Sequence, residues 1–229
     1  MNWGGYSQIA AEIFLLKKST KENYDYYHLL SGVDLPLKTQ DYIHLFFDEN
    51  YGKNFIHVSD RRTTNRIMNR LKFYHFFSEY LGINHGKLSL KISPIWIFDK
   101  FLMLIQRIIH IDRLKNERTD FYSGSQWFSI THQAAIYILS KVKYIKRIFS
   151  YSRCADEFLI QTLIMNSSFS SQIVNNNLRM IDWKRGSPYI FRDSDFYSLV
   201  SSNCLFARKF DESVDKKIIQ KLSLYIKNG

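Results

Sequence analysis

Short apolar segments alternate along the chain with longer amphipathic ones, and this alternation constrains the fold more than any other sequence feature. The apolar segments have the length and the flanking turn residues of buried strands. Between them, apolar residues recur at the spacing of a helix face, as Ile9, Ile13 and Leu16 do. Strands that alternate with helices predict an α/β layered fold with a largely parallel sheet. The predicted strands cover residues 26–30, 55–58, 121–130 and 178–183.

Side chains that accept hydrogen bonds from free backbone N–H groups mark where several helices begin. Ser7 and Thr39 are predicted to cap the first two helices, and Thr131 to cap a later helix that ends at residue 139. Asp156 is predicted to open another, with Glu157 in its first turn. Further helices are predicted over 64–81, 95–114, 193–201 and 214–226. Because no repeat or low-complexity linker interrupts these elements, we expect a single domain over residues 1–229.

The balance of charge limits the kind of partner. The chain has 32 Lys and Arg against 21 Asp and Glu, which gives a formal net charge of +11. This excess favours a nucleic acid, an acidic membrane surface or a phosphate-bearing substrate. No nucleic-acid-binding motif is present and the basic residues are dispersed, so nucleic acid is not the expected partner. The basic amphipathic helix at 95–114 suits peripheral contact with an anionic membrane, although a buried helix explains the same pattern.

Cysteine usage and the N-terminal residues bear on location. Cys154 and Cys204 have neither zinc-site nor disulfide-framework spacing. Residues 1–5 lack the charged and apolar regions of a signal peptide, and charged or amide residues interrupt the most apolar stretch, 94–111. We therefore expect a cytoplasmic protein, associated with the inner face of the membrane where it contacts one. Frequent Lys, Asn and Ile favour a bacterial origin.

Six short segments together carry a family resemblance. In order they read WGGYS at 3–7, LLSGVDLPLK at 29–38, YSGSQWF at 122–128, DEF at 156–158, IDW at 181–183 and LFARKFD at 205–211. With these segments in this order, the chain resembles the core-2/I-branching beta-1,6-N-acetylglucosaminyltransferase family. The resemblance implies a GT-A-like glycosyltransferase domain, related to the Rossmann dinucleotide-binding folds. Since Trp3 already matches a mid-domain segment of the family, we expect an N-terminally incomplete domain that lacks about two βα units.

The resemblance also implies a catalytic base and a site for the leaving diphosphate. Glu157 matches the family's base, which takes the proton of the acceptor hydroxyl. Otherwise Glu157 only favours a helix N-terminus. Lys209 matches the family's diphosphate-binding lysine, and Arg185 is the expected arginine beside it, with Arg192 as the alternative. Without that role, these cations are solvated surface charges.

A metal ion is not expected at this site. Residues 193–195 spell the Asp-x-Asp pattern of metal-dependent transferases, but a lone match is weak evidence. The pattern precedes an apolar-periodic segment, so helix capping explains it better. The seven histidines show no metal-ligand spacing. We therefore predict neither a metal nor another cofactor.

Further residues are implied to bind the two substrates. Asp34 and Lys38 resemble the centre of the family's donor site, although Gly32 and Pro36 alone can shape a structural loop there. Acceptor-side residues are four in number: Trp183, Arg66, Ser125 and Trp127. Trp183 offers a flat apolar face to a sugar ring, and ordinary core packing is its alternative role.

The resemblance therefore implies an inverting, metal-independent glycosyltransferase. It would move N-acetylglucosamine, or a related sugar such as xylose, from a UDP-sugar to the hydroxyl of a glycan or lipid-linked saccharide. Two alternatives remain at this stage: an N-terminally truncated and inactive relative, and a basic nucleic-acid-binding module.

Overall fold

The computed structural model describes residues 2–59, 65–81 and 94–228. Within them the chain forms ten α-helices and seven strands, joined in places by short 3₁₀ turns. The order is α1 Tyr6–Ser19, β1 Tyr26–His28, β2 Asp34–Pro36, α2 Gln40–Glu49, β3 Asn54–Val58, α3 Asn65–Lys72, α4 Ser78–Leu81, α5 Pro94–Ile108, β4 Gly124–Thr131, α6 His132–Ser140, α7 Val142–Phe149, α8 Asp156–Met165, β5 Ile173–Asn175, β6 Arg179–Ile181, α9 Phe196–Val200, β7 Phe206–Arg208 and α10 Lys216–Asn228. The predicted mixture of helices and strands is confirmed.

The strands form two sheets of mixed direction. The larger sheet has the order β1-β4-β3-β5, and the smaller has the order β2-β7-β6. Only β3–β5 and β6–β7 pair in parallel, whereas β4 runs antiparallel to both of its neighbours. The prediction of a largely parallel sheet is therefore wrong. An apolar run fits a central antiparallel strand as well as a parallel one, so the pattern alone does not give strand direction.

Helix α8 is the centre of the main core. It packs on β4 and beside α1 and α6, and its residues 158–164 are buried. Phe128 and Ile130 of β4 belong to the same buried cluster as Phe158 and Leu159 of α8. Fully burying side chains of this size contributes about 1.5–3 kcal/mol each. The helix is thus fixed along its length, while Glu157 in its first turn remains partly exposed.

Two of the three predicted helix caps are confirmed. The hydroxyl of Thr39 accepts a hydrogen bond from the N–H of Tyr42, and that of Thr131 from the N–H of Ala134. The cap predicted at Ser7 is wrong, because α1 begins at Tyr6 with Gly5 as its N-cap. The Ser7 N–H and hydroxyl instead donate to the Glu79 carboxylate, at 2.6 and 2.7 Å. A distant acidic residue therefore satisfies this helix end.

The long helix predicted over 64–81 is two short helices, α3 and α4. Between them the backbone bonds to distant parts of the chain: the His75 N–H donates to the carbonyl of Tyr151, and the Gln106 amide pairs with both backbone groups of Tyr74. These tertiary bonds replace the helical ones. The helix predicted over 95–114 likewise ends early, at Ile108. Among the described residues, no helix combines the length and apolarity needed to cross a membrane.

Candidate active site

Glu157 lies at the exposed beginning of α8, paired with an arginine from another helix. Its Oε2 accepts a hydrogen bond from Nη1 of Arg70, on α3, at 2.6 Å. The Glu157 side chain is 45% exposed and that of Arg70 is 36% exposed. The guanidinium therefore orients the carboxylate and leaves one side of it open to solvent. A carboxylate held in this way can accept a proton from a bound hydroxyl.

One turn further along α8, Gln161 joins the helix to the sheet. Its side-chain amide donates to the backbone carbonyls of Ser125, at 2.6 Å, and of His57, at 3.1 Å. Residues four apart share a helix face, so Glu157 emerges above this contact. The close approach of these elements requires glycine at position 124, because a Cβ there would overlap the carbonyl oxygen of His57 and crowd Gln161. The face of α8 that carries Glu157 is thus held against the beginning of β4.

Two buried carboxyl groups, those of Asp156 and Glu12, lie near the start of α8. Burial, followed by the charge of Glu157, raises the pKa of Asp156 from 3.8 to about 6. Burial and the charge of Asp156 raise the pKa of Glu12, on α1, well above its ordinary value. One oxygen of each group has no hydrogen-bond partner among the described residues. Both groups therefore favour the protonated form more than a solvated carboxyl does.

Lys209 directly follows β7 and is half-buried. Its backbone is fixed on both sides: the N–H donates to the carbonyl of Tyr189, and its carbonyl accepts from the N–H of Phe191. Within the described parts of the chain, its ammonium group has neither a hydrogen-bond nor an ion-pair partner. The Lys209 side chain is thus available to an anion, and its position on the backbone is defined.

Arg185 is already engaged by two carboxylates. Its guanidinium binds Asp182 and, at 2.7 Å, Asp195, and it lies over the ring of Tyr189 at 4.0 Å. The hydrogen bonds to Asp182 and Asp195 raise the pKa of Arg185, and those from Arg185 lower the pKa of Asp182 to about 2. To bind a diphosphate, Arg185 must share or release one of these partners. The alternative, Arg192, is exposed at the start of the neighbouring 3₁₀ turn.

The Asp-x-Asp pattern at 193–195 has cations and N–H groups as partners. Asp193 forms ion pairs with Lys217 and Lys221, at 2.8 and 3.3 Å. Asp195 binds Arg185 and accepts the backbone N–H of Arg192 at 2.8 Å, which is a helix-start contact. Across the residues that the structure describes, no three Asp, Glu, His or Cys side chains group together as metal ligands.

Asp34 and Lys38 are both bound within the protein. The Asp34 carboxylate, almost fully buried, accepts from the Ser31 N–H and hydroxyl and pairs with Arg208 at 3.1 Å. Asp34 and Arg208 also lie opposite each other in the β2–β7 pair. Lys38 donates to the carbonyl of Val200, at the end of α9, at 2.6 Å. These contacts fix the segment 34–38 against β7 and α9.

Arginine contacts join the two sheets beside the candidate site. The guanidinium of Arg208, in the smaller sheet, lies 4.8 Å from the ring centre of Trp127, in the larger sheet. The buried Arg179 donates to Ser129 and to the carbonyls of Leu29 and Phe128, at 2.8 to 3.0 Å. Ser125 is held nearby, since its hydroxyl accepts from Asn177 at 3.0 Å. The strand that carries Ser125 and Trp127 is therefore tied to the smaller sheet, whose strand β7 ends just before Lys209.

Of the two remaining acceptor-side residues, the structure describes the side chain of Trp183 but not that of Arg66. Trp183, just after β6, is 65% exposed, so core packing does not account for it. Its ring is available to stack on a sugar. The backbone of Arg66 lies in α3, one turn before Arg70, but its side chain lies outside the described residues.

An open cavity of about 330 Å³ lies between α1 and β1, and its lining includes none of the predicted catalytic or substrate-binding residues. Glu12 and His28 are its ionisable lining residues besides two tyrosines. Burial and the Arg179 charge lower the pKa of His28 to about 3, so both groups favour their neutral forms. The lining consists of Glu12, Leu15, Leu16, Ser19, residues 26–30 and Phe128.

Comparison with known proteins gives the family. The sequence model of the Core-2/I-branching enzyme family matches residues 1–198, which is most of the chain. This chain belongs to the Core-2/I-branching enzyme family. The resemblance drawn from the six motif segments is thereby confirmed. The family match includes Glu157 and Arg70 and ends before Lys209.

Comparison with individual curated proteins finds similarity to xylosyltransferases. The chain is 24% identical to Xylosyltransferase 2 of Rattus norvegicus over 249 aligned positions, which cover 98% of this chain and 26% of that protein. Xylosyltransferase 2 of Homo sapiens gives the same three values. Xylosyltransferase 1 of Pan troglodytes is also 24% identical, over 98% of this chain and 24% of its own length. The chain spans about a quarter of the length of these relatives.

Proposed function

We propose that this chain is an inverting glycosyltransferase domain of GT-A-like fold, which moves a sugar from a UDP-sugar to a saccharide hydroxyl without a metal ion. Membership of the Core-2/I-branching enzyme family supports the reaction class. The observation that carries the mechanism is the Arg70–Glu157 pair, which presents an oriented and partly exposed carboxylate at the beginning of α8. The names of the curated relatives support xylose as a donor sugar beside N-acetylglucosamine.

In the proposed reaction Glu157 acts as the general base. Its carboxylate takes the proton of the acceptor hydroxyl while that oxygen forms a bond to the anomeric carbon. The bond from the anomeric carbon to the diphosphate oxygen breaks on the opposite face, and its electron pair leaves with UDP. Attack and departure on opposite faces invert the anomeric centre. A positioned base of this kind contributes about 10²- to 10⁴-fold to the rate.

Lys209 is the proposed partner of the leaving diphosphate. Its ammonium is available, and its backbone is fixed by Tyr189 and Phe191. A fixed positive charge stabilises the negative charge that develops on the leaving group. Arg185 is a second proposed ligand, which gives up part of its contact with Asp182 or Asp195 on binding. In this mechanism basic side chains stabilise the charge of the leaving diphosphate, which a divalent cation stabilises in metal-dependent transferases.

The substrates are assigned to the two sides of this site. Asp34 and Lys38 shape the donor side through their contacts with Arg208 and α9. Trp183 is proposed to stack on the acceptor, with Ser125 and Trp127 forming the wall at β4 and Arg66 contributing hydrogen bonds. The acceptor class is a glycan or a lipid-linked saccharide.

A transfer assay tests this function directly. The purified chain is incubated with UDP-N-acetylglucosamine or UDP-xylose and a panel of saccharide acceptors, with and without a chelator, and the product is analysed by NMR. We expect an inverted linkage for one donor at a rate that the chelator does not change. Retention of configuration contradicts the base mechanism, and dependence on added manganese contradicts the role of Lys209. Failure to bind either donor contradicts the proposal as a whole.

A further inference from the structure

Helix α5 has its polar and apolar faces reversed relative to a helix that packs on a protein core. Asp99 and Gln106, seven residues apart, are its buried residues. On the opposite side, Ile97, Phe101, Leu104 and Ile108 form an apolar stripe and are between 55% and 64% exposed. Their spacing of four, three and four residues keeps them on one helix face. We call these four residues the α5 stripe.

Hydrogen bonds and an aromatic contact attach this helix to the rest of the protein. The Gln106 side chain accepts the Tyr74 N–H at 2.7 Å and donates to the Tyr74 carbonyl at 3.0 Å. Phe98 packs edge-on against Phe77 at 5.9 Å. These contacts fix the rotation of α5 about its axis, so the stripe faces away from the core. A contiguous exposed apolar surface of this kind marks an interaction site.

Basic residues lie beside the stripe. Lys100 and Arg107, also seven residues apart, are exposed on one flank of α5. Lys100 lies over the ring of Trp96 at 5.5 Å. The one acidic residue of α5, Asp99, is buried on the opposite face. The exposed surface of the helix is therefore apolar in the middle and cationic at the side, in a protein whose net charge is +11.

We propose that α5 lies in the interface of an anionic lipid bilayer, with the α5 stripe inserted among the acyl chains. Lys100 and Arg107 then reach the phosphate groups of the lipids, as long cationic side chains do at membrane surfaces. The helix lies on the membrane and does not span it.

The exposed charges of α5 favour an anionic membrane over a second copy of the chain as the partner of the α5 stripe. If two copies met through the α5 stripe, Lys100 and Arg107 of each would face the other copy without an acidic residue of α5 to pair with, because Asp99 is buried. An anionic bilayer supplies the missing negative charge. This inference does not rest on the proposed transferase activity, so either can fail without the other.

Vesicle co-sedimentation of the full chain tests the proposal. The vesicles are phosphatidylcholine alone, or phosphatidylcholine with about one third phosphatidylglycerol. Binding is expected only to the anionic vesicles. The pair Phe101→Ser and Leu104→Ser should lower the partition coefficient about 50-fold, since two apolar side chains no longer insert. The pair Lys100→Gln and Arg107→Gln should lower it about 30-fold, because two surface cations are lost.

Matched control variants show whether the loss of any two exposed leucines, or of any two exposed cations, weakens vesicle binding equally. Leu45→Ser with Leu224→Ser removes two equally exposed leucines on α2 and α10, and Lys17→Gln with Lys143→Gln removes two exposed cations elsewhere. Both should bind like the wild type or nearly so, and circular dichroism verifies that every variant is folded. Absence of binding to anionic vesicles, or unchanged binding of the stripe variant, overturns the proposal. Self-association in solution that the stripe variant abolishes, without vesicle binding, assigns the surface to a second copy.

Discussion

Arg70 on α3 and Glu157 on α8 form an ion pair with an N–O distance of 2.6 Å, although 87 residues separate them in the sequence. Both side chains are partly exposed, and an exposed pair contributes only about 0–1 kcal/mol to the free energy of unfolding. The pair is thus weak as a stabilising contact. Its main consequence is the fixed direction of the Glu157 carboxylate.

Replacement of Arg70 should therefore affect activity more than stability. For Arg70→Gln we expect a fall of about tenfold in turnover, because the base is less well oriented. The free energy of unfolding in urea should change by no more than about 1 kcal/mol. Arg147 forms an ion pair with Glu117, whose side chain is 13% exposed, so Arg147→Gln is the control and should keep its transfer rate. Equal rates for the two variants would refute the orienting role of Arg70.

The buried carboxyl of Asp156 predicts a pH dependence of stability. Its pKa in the folded protein, about 6, is higher than its ordinary value of 3.8, so the folded state binds this proton more tightly. The resulting stabilisation is fully present below pH 3.8 and is lost as the pH rises to about 6. Asp156→Asn should raise the free energy of unfolding at pH 7.5 by about 2–3 kcal/mol. Glu212→Gln, at an exposed position, is the control. Urea unfolding between pH 4 and 8 checks this, and identical pH profiles for wild type and Asp156→Asn would contradict it.

Gly124 tests how closely β4 packs against β3 and α8. In Gly124→Ala the new methyl group meets the His57 carbonyl and the Gln161 side chain, and the backbone must move. We expect a loss of about 3 kcal/mol or more in the free energy of unfolding, as overpacking of a close backbone contact predicts. At Gly32 a Cβ meets nothing within 4 Å, so Gly32→Ala should have little effect. Thermal unfolding of both variants tests this, and similar melting temperatures would show that β3, β4 and α8 are not tightly packed around Gly124.

Lys209 should determine affinity for the nucleotide product. Lys209→Met removes the ammonium and keeps most of the apolar length, and we expect UDP to bind about tenfold more weakly, which corresponds to about 1.4 kcal/mol. Calorimetric titration with UDP measures this. Lys184→Met, at an exposed position in the loop before Arg185, serves as control. A dissociation constant unchanged by Lys209→Met would assign the diphosphate to other cations.

Local signals in the sequence predict local structure here, and contacts between distant segments account for the differences. Thr39 and Thr131 act as caps through residues three positions away, so the sequence contains both partners. The contact at the start of α1 cannot be predicted in this way, because the Ser7 N–H donates to the carboxylate of Glu79, which is 72 residues further along the chain. Helix α3 ends early for a similar reason, since Tyr74 pairs with Gln106.

The candidate site shows the same division between local and distant contacts. The motif segments indicate the family and Glu157, and the first turn of α8 is where the sequence predicts it. The sequence does not single out Arg70, because nothing in its own sequence context points to Glu157. The raised pKa values of Glu12 and Asp156 could not be predicted from the sequence either. Burial is their main cause, and burial depends on the packing of α1 against α8.

The rate of sugar transfer by Glu157→Gln is the most direct test of the proposed mechanism. The amide keeps the shape of the side chain but cannot take a proton, so turnover should fall by about 10²- to 10⁴-fold while UDP affinity and the fold are retained. Glu117→Gln, which changes a carboxylate paired with Arg147 away from the site, should transfer at the wild-type rate. A Glu157→Gln variant whose turnover stays near that of the wild type would contradict the assignment of Glu157 as the base.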